Sequence, residues 1–413
     1  MKNRSESKVN HACFLKCKSQ MNNEKDHRMQ KSLRSVEIFA GAAGLGLGLA
    51  KAGFSHEIIV ENDSDACNTI RLNQHQNHPL VEGWRILEAN IEDCDLSGVK
   101  GEVDLVAGGP PCQGFSIGGQ HKGSEDQRNL WPWAIKTVSE IKPRAFVFEN
   151  VPNMASTHKD YLEYLVKALT IPTIADPQQW IEDGEKLQKI LSEGQSFDPS
   201  YDVSVDLLTS SDFGTGQKRK RLFITGIRKD VGAKYNTPVS THSEAELLDS
   251  KWIRGEYWER HGLSRPVPND AAMKWIRKHN QQPRDLFATP MKPWNTVRDI
   301  IANIPEWANG QEDAPRQAKA YKGHTGSEID SPAKTHRAGV HGVSGGEMMI
   351  DFGEGQACQY RHFTTREAAA LSDFPHDYDF SGTWSDCLRQ IGNSVPCKMA
   401  QAVGQSIQKA LVQ

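Results

Sequence analysis

Cys112 stands in the run Gly108-Gly109-Pro110-Pro111-Cys112-Gln113-Gly114-Phe115-Ser116. Two prolines stiffen the backbone before it, and Gly114, Gly118, Gly119 and Gly123 loosen the chain after it. A rigidly mounted thiol followed by a closing segment suits nucleophilic catalysis, because a thiolate both attacks and leaves well. An inert core cysteine needs no such flanks. Glu149 ends the apolar run Ala145-Phe146-Val147-Phe148 and is a candidate proton donor, with an ordinary strand-end ion pair as the plain alternative. In Gln217-Lys218-Arg219-Lys220-Arg221 the two arginines share one face of an extended segment and the two lysines the other. A guanidinium stays charged and offers donors in a fixed plane, although a solvated charge run or general phosphate binding would use the same residues.

These residues need a frame that holds them at strand ends. Val36-Glu37-Ile38-Phe39 reads as a strand, Gly41 to Gly48 as a glycine-dense turn, and Leu47 to Lys51 as the opening of a helix that Gly53 ends. Glu57 to Val60 is a second strand, closing with Glu61. Asp104 to Ala107 and Ala145 to Phe148 are two more, and Arg221 to Thr225 is a later one. Strands alternating with helix-length segments imply a parallel α/β sheet, whose ligands gather at the carboxyl ends of the strands. The turn Phe39-Ala40-Gly41-Ala42-Ala43-Gly44-Leu45-Gly46 lets backbone N–H groups approach a cofactor, or is simply a tight turn. It fails the dinucleotide spacing G-x-G-x-x-G: the sixth place is Leu49 counted from Gly44 and Lys51 counted from Gly46. Glu61 is placed like an acid that holds ribose hydroxyls.

Composition narrows the class. The 413 residues exceed one ordinary domain, and 37% hydrophobic residues with 34 glycines fit a globular chain rather than a disordered one. No run approaches the roughly 18 apolar residues of a membrane span, and the charged N-terminus lacks a signal core, which predicts a cytoplasmic protein. Eight scattered cysteines suit reduced thiols. A net charge of −3 leaves any nucleic-acid partner to local patches. Residues 1–34 carry nine Lys/Arg against three Asp/Glu and read as a flexible basic arm; His11, Cys13 and Cys17 lack further ligands, so no metal site is assigned. Residues 231–355 lose the βα alternation and hold five of the ten tryptophans, read as small-domain core. Within them, 251–298 carry ten Lys/Arg against four Asp/Glu. A helix around Thr365 to Asp373 and another from Pro396 to Val412 follow.

The order of six motifs resembles the DNA (cytosine-5)-methyltransferase family. They are Phe39-Ala40-Gly41-Ala42-Ala43-Gly44, the Pro-Cys-Gln loop, Glu149-Asn150-Val151, Gln217 to Arg221, Arg366-Glu367-Ala368-Ala369 with Phe374-Pro375, and Gly392-Asn393-Ser394-Val395-Pro396. The resemblance implies a Rossmann-like α/β methyltransferase domain with a mixed, mostly parallel sheet, over residues 35–230. A smaller irregular target-recognition domain would occupy 231–355, and 356–413 would return to the catalytic domain. It makes Cys112 the nucleophile at carbon 6 of cytosine and Glu149 the acid at the ring nitrogen. Arg219 and Arg221 would steady the catalytic loop and hold the cytosine carbonyl. Phe39, Gly41, Gly44, Glu61, Asn90, Ile91, Pro111, Asn393, Ser394 and Val395 would surround S-adenosylmethionine. Gln113, Ser116, Arg128 and Gln217 would meet DNA, whose target base must leave the helix to be reached.

Three positions depart from the family pattern. Ala43 replaces a glycine. Asn62 stands where some members place an aromatic residue against adenine. Asn90 replaces an aspartate that accepts the adenine amine, so its amide lacks the charge that strengthens such a bond, and Asn90→Asp is expected to tighten cofactor binding. The resemblance further implies a bacterial restriction-modification enzyme acting as a monomer on duplex DNA near the nucleoid, with a separate cognate endonuclease. A tRNA cytosine methyltransferase is the alternative, disfavoured by the long variable region. A catalytically silent DNA-binding module is disfavoured by the full set Cys112, Glu149, Arg219 and Arg221, and a nicotinamide oxidoreductase by the glycine spacing.

Overall fold

The computed structural model describes residues 32–111, 130–172, 200–279, 290–308, 315–320, 325–338, 348–356 and 358–413. Seven strands form one sheet: β1 Leu33–Ile38, β2 Phe54–Glu61, β3 Arg85–Glu88, β4 Leu105–Gly108, β5 Ala145–Asn150, β6 Tyr201–Thr209 and β7 Lys220–Arg228. Their order is β3-β2-β1-β4-β5-β7-β6. β1 to β5 are parallel, whereas β7 runs antiparallel to both β5 and β6. The sheet is therefore mixed and mostly parallel.

Alternation within the central strands fills both faces. Val106, Phe146 and Phe148 point to a core closed by helices α3 (Trp131–Ile141) and α4 (Lys159–Thr170). Leu105, Ala107, Ala145 and Val147 point the other way, to α1 (Gly44–Lys51) and the C-terminal helix α7 (Cys397–Val412). Strands covered on both sides read as continuous apolar runs, which is why β4 and β5 are visible in the sequence, whereas β1 carries the buried polar residues Ser35 and Glu37. β1 has β2 on one side and β4 on the other, so the chain reverses its direction of winding there and leaves a crevice at the carboxyl ends of β1 and β4.

Helix α1 begins at Gly44, three residues before the expected start at Leu47. Its glycines are contact points rather than breaks. A Cβ on Gly44 would lie 2.5 Å from the Val395 carbonyl oxygen, and one on Gly48 would lie 2.6 Å from that of Cys397. The helix is admitted through its glycines because the Ser394–Val395 segment lies against Gly44, the Glu37 side chain against Gly46 and α7 against Gly48.

Two further helices complete the site: α2 (Ser64–His75) after β2, and α6 (Trp384–Asn393) before α7, with α5 (Thr365–Leu371) leading into it. Outside the sheet, Leu247, Tyr257, Trp258 and Trp294, with Trp252 packed on them, make a separate small core. Three of the five tryptophans of the variable region thus serve packing. Residues 216–219 and 333–336 are zipped together by hydrogen bonds, Lys218 N–H to Ala333 O and Ala333 N–H to Gly216 O, each 2.8 Å. The variable region returns to the sheet there.

Candidate active site

At the carboxyl ends of β1, β2, β4 and β5 lies a cleft of about 670 Å3. Its walls include Phe39, Gly41, Gly44, Glu61, Asn90, Ile91, Pro111, Glu149, Arg219, Arg221, Asn393, Ser394 and Val395. Every described residue singled out for cofactor or catalysis is in that lining. Cys112, Gln113, Ser116 and Arg128 lie outside the described residues.

One half of the cleft is a polar cradle. Phe39 leaves β1 with φ 57° and Gly41 follows with φ 54°, turning the backbone N–H of Gly41 toward Glu61 Oε2, which accepts it at 2.7 Å. Glu61 Oε1 accepts the N–H groups of Asn62 and Asp63, both at 2.8 Å. Burial raises the pKa of this carboxyl above the ordinary value, while the three backbone donors from Asp63, Gly41 and Asn62 oppose that shift. A carboxylate has about four acceptor positions, so one at Oε2 stays open to a hydroxyl in the cleft. Ala43 takes a left-handed φ of 66° and is fully buried, so a glycine-favouring position is held by a methyl-bearing residue.

The other half carries the acid and the arginines. Glu149 Oε1 accepts Arg221 Nε at 2.5 Å, and its Oε2 lies 3.4 Å from where a Cβ on Gly109 would stand. The neighbouring Asn150 is buried and donates its Nδ2 to Pro110 O at 3.0 Å. The Pro-Pro turn and the acid are thus fastened side by side. Arg219 is buried and donates to two carbonyl oxygens, His336 O at 2.5 Å and Gly392 O at 2.8 Å. Burial pushes its pKa well below the ordinary arginine value; the Arg221 charge adds to the fall and Glu149 opposes it. Burial also lowers the pKa of Arg221, which Glu149 partly restores. The expected alternation holds: Arg219 and Arg221 face inward, while Lys218 and Lys220 are exposed.

Gln217 requires a correction. Its side chain is fully buried, Nε2 donating to Ser372 Oγ at 3.1 Å and Oε1 accepting the His336 N–H at 3.1 Å. Both ends of the amide are used within the chain, so it stitches the returning segment to the sheet and is not placed to touch DNA.

Some wall residues escaped the sequence reading. Arg389 on α6 pairs with Asp63 and Asp65 of α2, the latter at 2.8 Å, closing the rim above the Glu61 cradle. Only Asp63, an N-cap residue accepting Ala66 N–H at 3.0 Å, carried a local signal. Asn62 and Asn90 are joined directly, Asn62 Nδ2 donating to Asn90 Oδ1 at 3.0 Å.

A sequence model of C-5 cytosine-specific DNA methylases matches residues 33–173 and 177–409, which takes in every motif around the cleft. The chain belongs to the C-5 cytosine-specific DNA methylase family. This methylase is similar to the type II methyltransferase M.PspPI of Psychrobacter sp. (strain TA137), 28% identical over 390 residues that span 92% of this chain and 80% of the relative. It is also similar to the type II methyltransferase M.AquIA of Picosynechococcus sp., 32% identical over 282 residues, 67% of this chain and 90% of the relative. Among solved structures, the Entamoeba histolytica methyltransferase EhMeth superposes with a TM-score of 0.54 at 14% identity, covering 93% of this chain and 100% of its own. The S. pombe Dnmt2 methyltransferase gives 0.52 at 14% identity, covering 92% and 100%. These two share the fold. The methylase transfers a methyl group to carbon 5 of cytosine in DNA. No helix among its described residues is long and apolar enough to cross a membrane.

Proposed function

We propose that the methyl donor is S-adenosylmethionine, held in the cleft at the ends of β1 and β2, and that Cys112, Glu149, Arg219 and Arg221 carry the reaction on a cytosine turned out of duplex DNA. The observation that carries this reading is the meeting, in one cleft, of the Glu61 cradle and the Glu149–Arg221 pair beside the Pro110-Pro111 turn. The cradle suits the donor: Gly41 has no atom within 4 Å of where a Cβ would be, and Glu61 keeps a free acceptor position for a ribose hydroxyl. Phe39, Gly44, Ile91, Pro111, Asn393, Ser394 and Val395 form the remaining wall. When bound, the donor's sulfonium supplies an electrophilic methyl group.

Carbon 5 of cytosine is too electron-poor to take that methyl unaided. The Cys112 thiolate adds to carbon 6, and the electron pair moves through the ring to the nitrogen beside the exocyclic amine, where Glu149 donates a proton or a strong hydrogen bond. Carbon 5 then has enamine character. After methylation, loss of its proton returns the electrons to the ring and expels the thiolate. Arg221 holds Glu149 in place and faces the cytosine carbonyl. Arg219 fixes the backbone at His336 and Gly392.

Residues 231–355 are the target-recognition domain, with 1–34 an N-terminal arm, 35–230 the catalytic domain and 356–413 its C-terminal completion. Support comes from the separate small core and from Lys274, Arg277 and Lys278 on the helix Asp270–His279. These three are exposed, three and four residues apart, and form no ion pair among the described residues. The enzyme acts as a monomer. It works in the cytoplasm on nucleoid DNA, alongside a separate endonuclease of the same specificity.

The test is incubation of wild type and Cys112→Ser with labelled S-adenosylmethionine and duplex DNA, with tRNA in parallel. Label in DNA only, absent from the variant, and a covalent complex with 5-fluorocytosine DNA that requires the methyl donor are expected. Failure to trap that complex with an otherwise active enzyme overturns the assignment of Cys112.

A further inference from the structure

Asn62 follows Glu61 at the end of β2, and Asn90 lies two residues beyond the end of β3. The two strands are parallel neighbours in the register Glu61–Glu88, so the asparagines stand side by side on the cleft rim. Three links hold the second one. Asn62 Nδ2 donates to Asn90 Oδ1 at 3.0 Å, Asn90 Nδ2 donates to Asp93 Oδ2 at 3.4 Å, and the Asp93 N–H donates to the Asn90 carbonyl at 3.0 Å. The short turn Ile91–Asp93 that begins at Asn90 brings the carboxylate back beside the amide. Asn62 is itself fixed by its N–H bond to Glu61 Oε1. All three side chains are exposed and pair with one another across the place where the family pattern has a single aspartate.

We propose that Asn62 and Asp93 are positioning residues for Asn90: the donor offered by Asn62 and the acceptor offered by Asp93 fix its amide with the oxygen toward the exocyclic amine of the donor's adenine, and Asp93 supplies the negative charge that the amide lacks. This rests on the reading that S-adenosylmethionine occupies the cleft with its adenine at Asn90. An amide whose N–H group is bound to a carboxylate has a more electron-rich oxygen, so the charge acts at one remove. The consequence reverses the simplest expectation for Asn90→Asp. An aspartate there would face the Asp93 carboxylate across the same short gap, two like charges with no donor between them, and Asn90→Asp alone brings no tightening.

Calorimetric titration with S-adenosylmethionine, and with the analogue whose exocyclic amine is replaced by oxygen, tests this on the full chain. Asn62→Ala and Asp93→Ala should each weaken binding of S-adenosylmethionine roughly 3- to 10-fold, the size of one lost exposed hydrogen bond. In the Asn90→Asp background the effect of Asp93→Ala should change sign, tightening binding several-fold. The oxygen analogue, which offers an acceptor where adenine offers a donor, should not be weakened by Asn62→Ala or Asp93→Ala. Tightening by Asn90→Asp alone, or an Asp93→Ala effect of one sign in both backgrounds, overturns the proposal while leaving adenine at Asn90. If Asn90→Ala binds S-adenosylmethionine as wild type does, the adenine placement itself fails, and the proposal with it. Unchanged thermal unfolding of the variants separates either result from a folding defect.

Discussion

Arg219 offers a prediction whose size follows from its contacts. Its two terminal nitrogens satisfy His336 O and Gly392 O, two carbonyls from segments far apart in sequence, and the guanidinium is 2% exposed. In Arg219→Met the volume is nearly kept, so little cavity opens. Both carbonyls lose their donor, at about 1–3 kcal/mol each when buried. Removing a buried charge returns roughly 1–4 kcal/mol. At the centres of these ranges, about 4 kcal/mol lost against about 2.5 returned, the balance is a destabilisation of about 1.5 kcal/mol, read as a lower urea midpoint at unchanged slope. A second effect is specific to the site. Gly392 O precedes Asn393-Ser394-Val395, so releasing it should weaken binding of S-adenosylmethionine about tenfold, or ~1.4 kcal/mol. Arg219→Lys, with one terminal nitrogen in place of two, should fall between. A methionine variant with the wild-type midpoint and wild-type cofactor affinity would refute the view that Arg219 is the clasp between the returning segment and the cofactor wall.

Three other outcomes are expected. Glu149→Gln keeps an acceptor for Arg221 Nε, 2.5 Å away, but holds no transferable proton, so methylation should fall roughly 100- to 10,000-fold with DNA retention on filters unchanged; a loss under tenfold would remove Glu149 from the chemistry. The buried His336 ring, whose pKa burial and the Arg219 charge push down to about 3, is taken to carry no proton in the folded state until far below the ~6.5 of an unfolded chain. Its contribution to stability is therefore complete above pH ~6.5 and is lost as pH falls toward 3. His336→Phe should flatten the stability profile between pH 6 and 4 by about 1.4 kcal/mol per pH unit in urea titrations, and parallel profiles would contradict this. Replacing Lys274, Arg277 and Lys278 together by Ala should reduce the slope of log binding constant against log salt by about 2.7 on any duplex. An unchanged slope would place that helix off the DNA.

What was readable in the sequence, and what was not, divides along a physical line. Local signals survived translation into structure. Continuous apolar runs marked β4 and β5, and the glycines after β1 with the Gly-Pro-Pro after β4 marked the crevice, because strand burial and turn geometry depend on neighbours in sequence. β6 shows how a local pattern can still mislead. Its Val205 and Leu207 are 41% and 51% exposed, while Asp206 between them is buried and accepts Thr237 Oγ1 at 2.7 Å. Its apolar row begins in the core with Tyr201 and Val203 and runs out to the surface at Val205 and Leu207, so one face changes environment along the strand. The opening of α1 was hidden for a related reason: Gly44 and Gly48 look like breakers until residues 394–401, about 350 residues later, are seen lying against them.

The features that were missed share a dependence on partners distant in the chain. Gln217 bonds to Ser372 and His336, 155 and 119 residues away, and nothing near it says that its amide is already spent. Arg389 reaches Asp63 across 326 residues. The asparagine pair shows why this matters for chemistry. Taken singly, Asn62 and Asn90 are two departures from a family pattern, each a weakening. Brought together by adjacent strand ends and joined to Asp93 by a turn, they make one hydrogen-bonded unit, and the functional consequence of either residue is then set by the other two. A substitution at Asn90 judged from residue type alone leaves out the carboxylate that Asp93 already places beside the amide, three residues away.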